Sequence, residues 1–210
     1  AAMPEYVALF DAAFGGGAAA VTPENAARAL AAFQRTLITN DAPFDRYAAG
    51  DFDALTSQQR RGLALFRSGA LRCFECHGAP AFASDTFRVV GLDSDDPGRA
   101  AVADDGVFGA FKVPTLRNIA LSAPYMHDGS MATLEEVIDF YAAGGGRAHG
   151  FEQVDVFVNP FELSAQERAD LIAFLFALTD ESGLPEIPAA VPSGRPVVAR
   201  AENPARAQVA

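Results

Sequence analysis

Apolar and polar residues follow a helical period in successive stretches of the chain, and each stretch is bounded by recognisable start or stop residues. The first, Glu5–Phe14, runs into the breaker Gly15-Gly16-Gly17. Thr22-Pro23 opens the next, with Thr22 placed to cap the helix and Pro23 at its first position, where a missing N–H costs nothing. Ala26, Leu30, Phe33 and Leu37 recur along it at helical spacing, and the helix is expected to stop before Asn40-Asp41-Ala42-Pro43. Later starts share one signature, Ser or Thr followed three residues on by Gln or Glu. These are Thr56-Ser57-Gln58-Gln59, Thr133-Leu134-Glu135-Glu136 and Ser164-Ala165-Gln166-Glu167. Leu63, Phe66 and Ala70 carry the buried face of the first. Leu134, Val137, Ile138 and Tyr141 carry that of the second, which halts at Gly144-Gly145-Gly146. Leu171, Ile172, Leu175 and Leu178 carry that of the last. Residues 78–111 are rich in Gly, Asp and Ser without a period, a loop of a length that compact domains keep for function. From Thr179 the pattern dissolves, and 185–210 reads as a flexible Pro- and Ala-rich tail. The pattern predicts a chain helical throughout, with long functional loops and no internal repeat.

The helix opened at Thr56 leads into Cys73-Phe74-Glu75-Cys76-His77, which holds both cysteines and one of the three histidines of the chain. C-x-x-C-H is the attachment signature of a c-type haem. One helical turn brings both sulfurs to the macrocycle edge, and the next residue, His77, aims an imidazole at the iron from the proximal side. A thioredoxin-like redox pair is the first alternative, but no βαβ pattern surrounds the motif. A structural zinc site is the second; it needs four ligands, and beyond Cys73, Cys76 and His77 only His127 and His149 are good candidates. Haem is the favoured reading.

Composition narrows the setting. Half of the 210 residues are apolar, enough for a core, and 17 are Phe with no Trp, flat apolar groups that suit both a core and a haem crevice wall. A net charge of −11 argues against nucleic acid and anionic membrane surfaces, and suits a basic redox partner. No apolar run is long enough to span a bilayer. The first residues, Ala1-Ala2-Met3-Pro4-Glu5-Tyr6, have neither the basic nor the apolar region of a signal peptide. Covalent haem attachment nonetheless implies export, so the chain is expected to be a mature or truncated piece of a periplasmic protein.

Further blocks extend the motif. Pro43-Phe44-Asp45-Arg46-Tyr47 and Gly62-Leu63-Ala64-Leu65-Phe66 precede it. Phe111-Lys112-Val113-Pro114-Thr115-Leu116-Arg117-Asn118 follows, and then Ala123-Pro124-Tyr125-Met126-His127-Asp128-Gly129 ahead of Thr133. In this order they resemble the bacterial di-haem cytochrome c peroxidases and their MauG-type relatives, over roughly residues 4 to 180. That family carries two c-type haems in two cytochrome-like domains. With a single C-x-x-C-H, this chain resembles the second, C-terminal haem domain and the helices before it. The peroxide-cleaving haem domain and its assisting acid have no counterpart here. The resemblance implies an all-α, cytochrome c-like haem domain with extra N-terminal helices and long haem-wrapping loops. Residues 1–55 would pack between the two haem domains, 56–180 would form the cytochrome domain, and 181–210 the tail.

The resemblance also implies site residues. In the peroxidases a methionine on the helix after the His-Asp-Gly block is the distal iron ligand. Aligning that block places Tyr141 there, as in the MauG-type relatives. A hard phenolate favours Fe(III) and a low potential, whereas a soft thioether would raise it. Tyr141 packed as a core residue fits the periodicity equally well, and Met126 is the rival ligand; Met131 and His149 are weaker candidates. His127 is expected near the haem edge, bonded to a propionate or to backbone. Arg117 is a candidate propionate partner, with an ion pair to Asp128 or Glu135 as its alternative. Backbone carbonyls of Ser122 and Pro124 match a family calcium site. The implied partners are a second haem domain, a small redox protein or protein substrate, and hydrogen peroxide. A stand-alone monohaem electron carrier is the alternative function, and a haem sensor a weaker one.

Overall fold

The computed structural model describes residues 3–104 and 106–197. Its helices are α1 (Pro4–Phe14), α2 (Pro23–Gln34), α3 (Pro43–Ala48), α4 (Ser57–Phe66), α5 (Cys73–Cys76), α6 (Leu134–Ala142) and α7 (Ala165–Phe176). The expected caps form. Thr56, Thr133 and Ser164 each accept an N–H bond from the residue three on, and Gln59, Glu136 and Glu167 return one to the cap backbone. Thr22 accepts from the Asn25 N–H at 3.1 Å, as Pro23 at the first position led one to expect. The all-α expectation needs correction, because the chain is mostly helical with a small two-stranded sheet. Strands β1 (Phe87–Val89) and β2 (Ala110–Lys112) pair antiparallel with Arg88 opposite Phe111. Strands this short show no alternation in sequence; β1 lies inside the segment expected to be loop and β2 straddles its end.

The chain divides into two compact units, whose described parts are residues 3–39 with 181–197 and residues 40–180. In the first, α1 and α2 contain no buried residue. The apolar stripe of α2 exists but faces outward, with Leu30 63% and Phe33 50% exposed. Leu37 lies past the helix end, where both the N–H and the hydroxyl of Thr36 bond the Phe33 carbonyl and close the last turn. Residues 181–197 hold no helix or strand. The remainder of the expected tail, 198–210, lies outside the described residues.

In the second unit α4 lies against α7. Their approach depends on Gly62: a Cβ there would stand 1.9 Å from the Asp170 carbonyl oxygen and 2.7 Å from Phe174 Cβ. Beside the crossing, Arg61 grips the buried Asp170 carboxylate through Nε at 2.6 Å and Nη2 at 2.9 Å, and Gln166 donates to it at 2.7 Å. The core gathers Phe66 of α4, Phe82, Leu134 and Ile138 of α6, and Leu171, Phe174, Leu175 and Leu178. Ala70, expected on the buried face of α4, lies beyond its end and is exposed. Residues from 40 onward are tied in by backbone bonds. Asn40 and Asp41 N–H groups donate to the Asp180 carboxylate, and Phe44 N–H to the Ala177 carbonyl. The long loop is seated where Gly91 meets Gly146, so close that a Cβ on Gly146 would lie 1.9 Å from the Gly91 carbonyl oxygen.

Candidate haem site

Helix α5 is a single turn, with His77 at its C-terminal cap and its N–H bonded to the Cys73 carbonyl at 3.0 Å. Both cysteines are free thiols. Burial pushes the Cys73 thiol up to about 12. Burial also raises Cys76, against the opposing pull of the Arg88 guanidinium. Thiols whose pKa burial raises are poor disulfide-exchange nucleophiles, which disfavours the redox-pair alternative. Among the described residues no three His, Cys, Asp or Glu side chains are grouped to hold a metal ion, so the zinc alternative has no ligand set there.

The His77 ring is oriented by backbone. Its Nδ1 lies 3.1 Å from the Phe82 carbonyl oxygen and 3.1 Å from that of Pro114. Carbonyl oxygens only accept, so Nδ1 carries the proton and Nε2 presents a lone pair. Burial lowers the pKa of the ring, outweighing the two carbonyls, and keeps the imidazole neutral. A neutral imidazole with Nδ1–H tied to a carbonyl is the state in which histidine binds iron.

Tyr141 sits in the last turn of α6. Burial drives its phenol pKa upward, and the charges that Cys76 and Cys73 would carry add to the effect, which puts the hydroxyl within electrostatic reach of both sulfurs. Its ring packs edge-on to Phe140 at 5.5 Å. Among the described residues nothing hydrogen-bonds that hydroxyl. A half-buried phenol that no described residue hydrogen-bonds, within electrostatic reach of both thiols, fits an iron ligand, so the residues present suit haem c. Met126 occupies a turn with φ 69°, and Met131 packs against the core.

The other expected residues are distributed around this centre. His127 is exposed and stacked on Phe111 at 3.8 Å, with Nε2 3.4 Å from Ser94 Oγ. His149 is exposed at the end of a 3-10 turn. Arg117 pairs with neither Asp128 nor Glu135. Its fork closes on Asp45 at 2.7 and 2.8 Å. Sequence reasoning missed Phe82 and Pro114, whose contribution is a backbone carbonyl that no side-chain pattern announces. It also missed Arg88, which pairs with Asp155 at 2.8 Å beside Cys76; Arg72 and Arg88 both reach the Phe157 ring, at 4.7 and 5.6 Å.

The family model described as di-haem cytochrome c peroxidase matches residues 1–53. The chain is 42% identical over 198 residues to the methylamine utilization protein MauG of Methylorubrum extorquens, covering 89% of this chain and 54% of that protein. It is 36% identical over 212 residues to the cytochrome-c peroxidase IdrP1 of a Pseudomonas species, covering 84% and 54%. A solved MauG-like protein associated with microbial copper homeostasis superposes with a TM-score of 0.74 at 35% identity, covering 85% of this chain and 59% of that one. The chain belongs to the family of di-haem cytochrome c peroxidases and MauG. It spans about half the length of the curated relatives it matches.

Proposed function

We propose that this chain is the second-haem, electron-transfer half of a di-haem peroxidase or MauG-type oxidoreductase. One haem c would be held through thioether bonds from Cys73 and Cys76, with His77 as proximal and Tyr141 as distal ligand, in a cytochrome c-like domain. The observation that carries this reading is the His77 ring, whose Nδ1–H faces two backbone carbonyls and leaves Nε2 free one residue after a pair of unpaired thiols. Haem bound there would supply a one-electron iron couple. Tyr141, as an anionic oxygen ligand, would bias that couple toward the ferric state.

Peroxide would be cleaved on the other haem domain, which the chain spanning half of its relatives' length leaves room for. The outward apolar residues Leu9, Leu30 and Phe33 of α1 and α2 supply a surface for packing between the two haem domains. His127 would lie near the haem edge. The carbonyls of Ser122 and Pro124 accept no hydrogen bond from any described residue, which suits backbone ligation of calcium. The net charge of −11 favours a basic redox donor or protein substrate, and covalent haem attachment favours the periplasm. No described helix is long and apolar enough to cross a membrane.

Protein matured in a host that attaches c-type haem tests the reading: its pigment should resist extraction by acidified organic solvent. Tyr141→Phe should change the ferric optical and electron paramagnetic resonance spectra, and Met126→Leu should leave them unchanged. The reverse pattern overturns the distal ligand, and strong peroxide-dependent oxidation by this chain alone overturns the half-protein assignment.

A further inference from the structure

The two carbonyls that face His77 belong to segments laced together by consecutive bonds. Arg117 Nε donates to the Pro80 carbonyl at 2.9 Å, Thr115 Oγ1 to the Ala81 carbonyl at 2.6 Å, and Leu116 N–H to the Phe82 carbonyl at 3.0 Å. Successive carbonyls from 80 to 82 are thus held by residues 115 to 117, and Phe82 and Pro114 lie at the His77 end of the lacing. Phe82 is held in an unfavourable conformation, with φ +49° for a bulky side chain. Such a backbone persists only when its surroundings over-determine it. Its ring is 2% exposed, locked edge-on against Phe44 at 4.8 Å and Phe66 at 5.9 Å.

The lacing and the closer ring contact both trace to α3. Phe44 supplies the ring contact, and the adjacent Asp45 takes the Arg117 fork in both oxygens, with the two side chains only 17% and 13% exposed. Asp45 is itself fixed, because its Oδ2 also accepts the Ala42 N–H at 3.0 Å and so closes the first turn of α3. The anchor is rigid, bidentate and sheltered from solvent, which is the geometry in which an ion pair fixes position.

We propose that Asp45 and Arg117 are positioning residues for the proximal ligand: their pair holds the carbonyls that accept the His77 Nδ1–H bond and so tunes the potential of the iron. The proposal rests on the haem reading above. A firm Nδ1–H bond makes the imidazole a stronger donor and favours Fe(III); slackening it favours Fe(II) and raises the potential. Asp45→Asn keeps the shape of the side chain and removes its charge, and Arg117→Lys keeps the charge and removes the fork.

In the complete haem-loaded protein, each variant should raise the midpoint potential of the haem on Cys73 and Cys76. The expected change is about tenfold in the ferric–ferrous equilibrium, or 59 mV for one electron. The iron–histidine vibration of the ferrous haem should shift in the same samples. Should Asp45→Asn fail to fold, Thr115→Val cuts the lacing at Ala81 and should move both readouts in the same direction. Wild-type potential and vibration in Arg117→Lys and in whichever of the other two variants folds would overturn the proposal while leaving the haem reading intact. A wild-type protein that matures without covalent pigment would overturn both.

Discussion

Replacing Gly62 by Ala sets local propensity against tertiary packing, and the two give opposite signs. In an exposed helix interior the change would stabilise by about 1 kcal/mol, because alanine loses less backbone freedom than glycine on folding. Here the new methyl would stand 1.9 Å from the Asp170 carbonyl oxygen, 2.7 Å from its carbon and 2.7 Å from Phe174 Cβ. Two of these neighbours are backbone of α7, so no side-chain rotation relieves the contact and the helices must separate. Overpacking of this kind costs up to about 3 kcal/mol, leaving a net loss of about 2 kcal/mol after the propensity gain. At about 2–4 °C per kcal/mol for a domain of this size, the melting temperature should fall by about 4–8 °C. Thermal unfolding followed by far-ultraviolet circular dichroism reads the change. Gly69→Ala is the control, since a methyl there meets nothing within 4 Å. A Gly62→Ala protein that melts at or above the wild type would refute the close crossing of α4 and α7.

Other outcomes follow from the same contacts. Arg61 holds the Asp170 carboxyl below its ordinary value of 3.8, mainly through its hydrogen bonds. The stability this pair contributes is therefore present above that value and lost as pH falls through the lower folded one. Asp170→Asn should destabilise at neutral pH and differ less from the wild type near about pH 3; urea melts showing an equal gap at both would refute the assignment. Phe82→Ala removes a fully enclosed ring and should cost about 3–5 kcal/mol by denaturant unfolding, with a loss below about 1 kcal/mol arguing against its place in the core. Each of these perturbations also bears on the candidate site, since α4 leads into the Cys73–His77 turn and Phe82 provides a partner of His77.

What the sequence determined alone was local chemistry. The hydroxyls of Thr22, Thr56, Thr133 and Ser164 find their partners three residues away, so the starts of α2, α4, α6 and α7 could be read from neighbours in the chain. The Cys73–His77 turn is equally local, because two thiols and an imidazole at fixed spacing define it without reference to the rest of the chain. Helical periodicity showed that α2 has an apolar stripe, but it says nothing about what covers a stripe, and in the structure this one is exposed. The strands β1 and β2 and the helix α3 were too short for any period to register.

Only the tertiary structure decided who meets whom over distance. Arg117 finds Asp45, 72 residues away, rather than a carboxylate near it in sequence. His77 is oriented by the main chain of Phe82 and Pro114, whose side chains take no part in that bond. Backbone carbonyls are present at every residue and carry no sequence signal, so which of them reaches the imidazole depends on how the loop is held, and packing alone settles that.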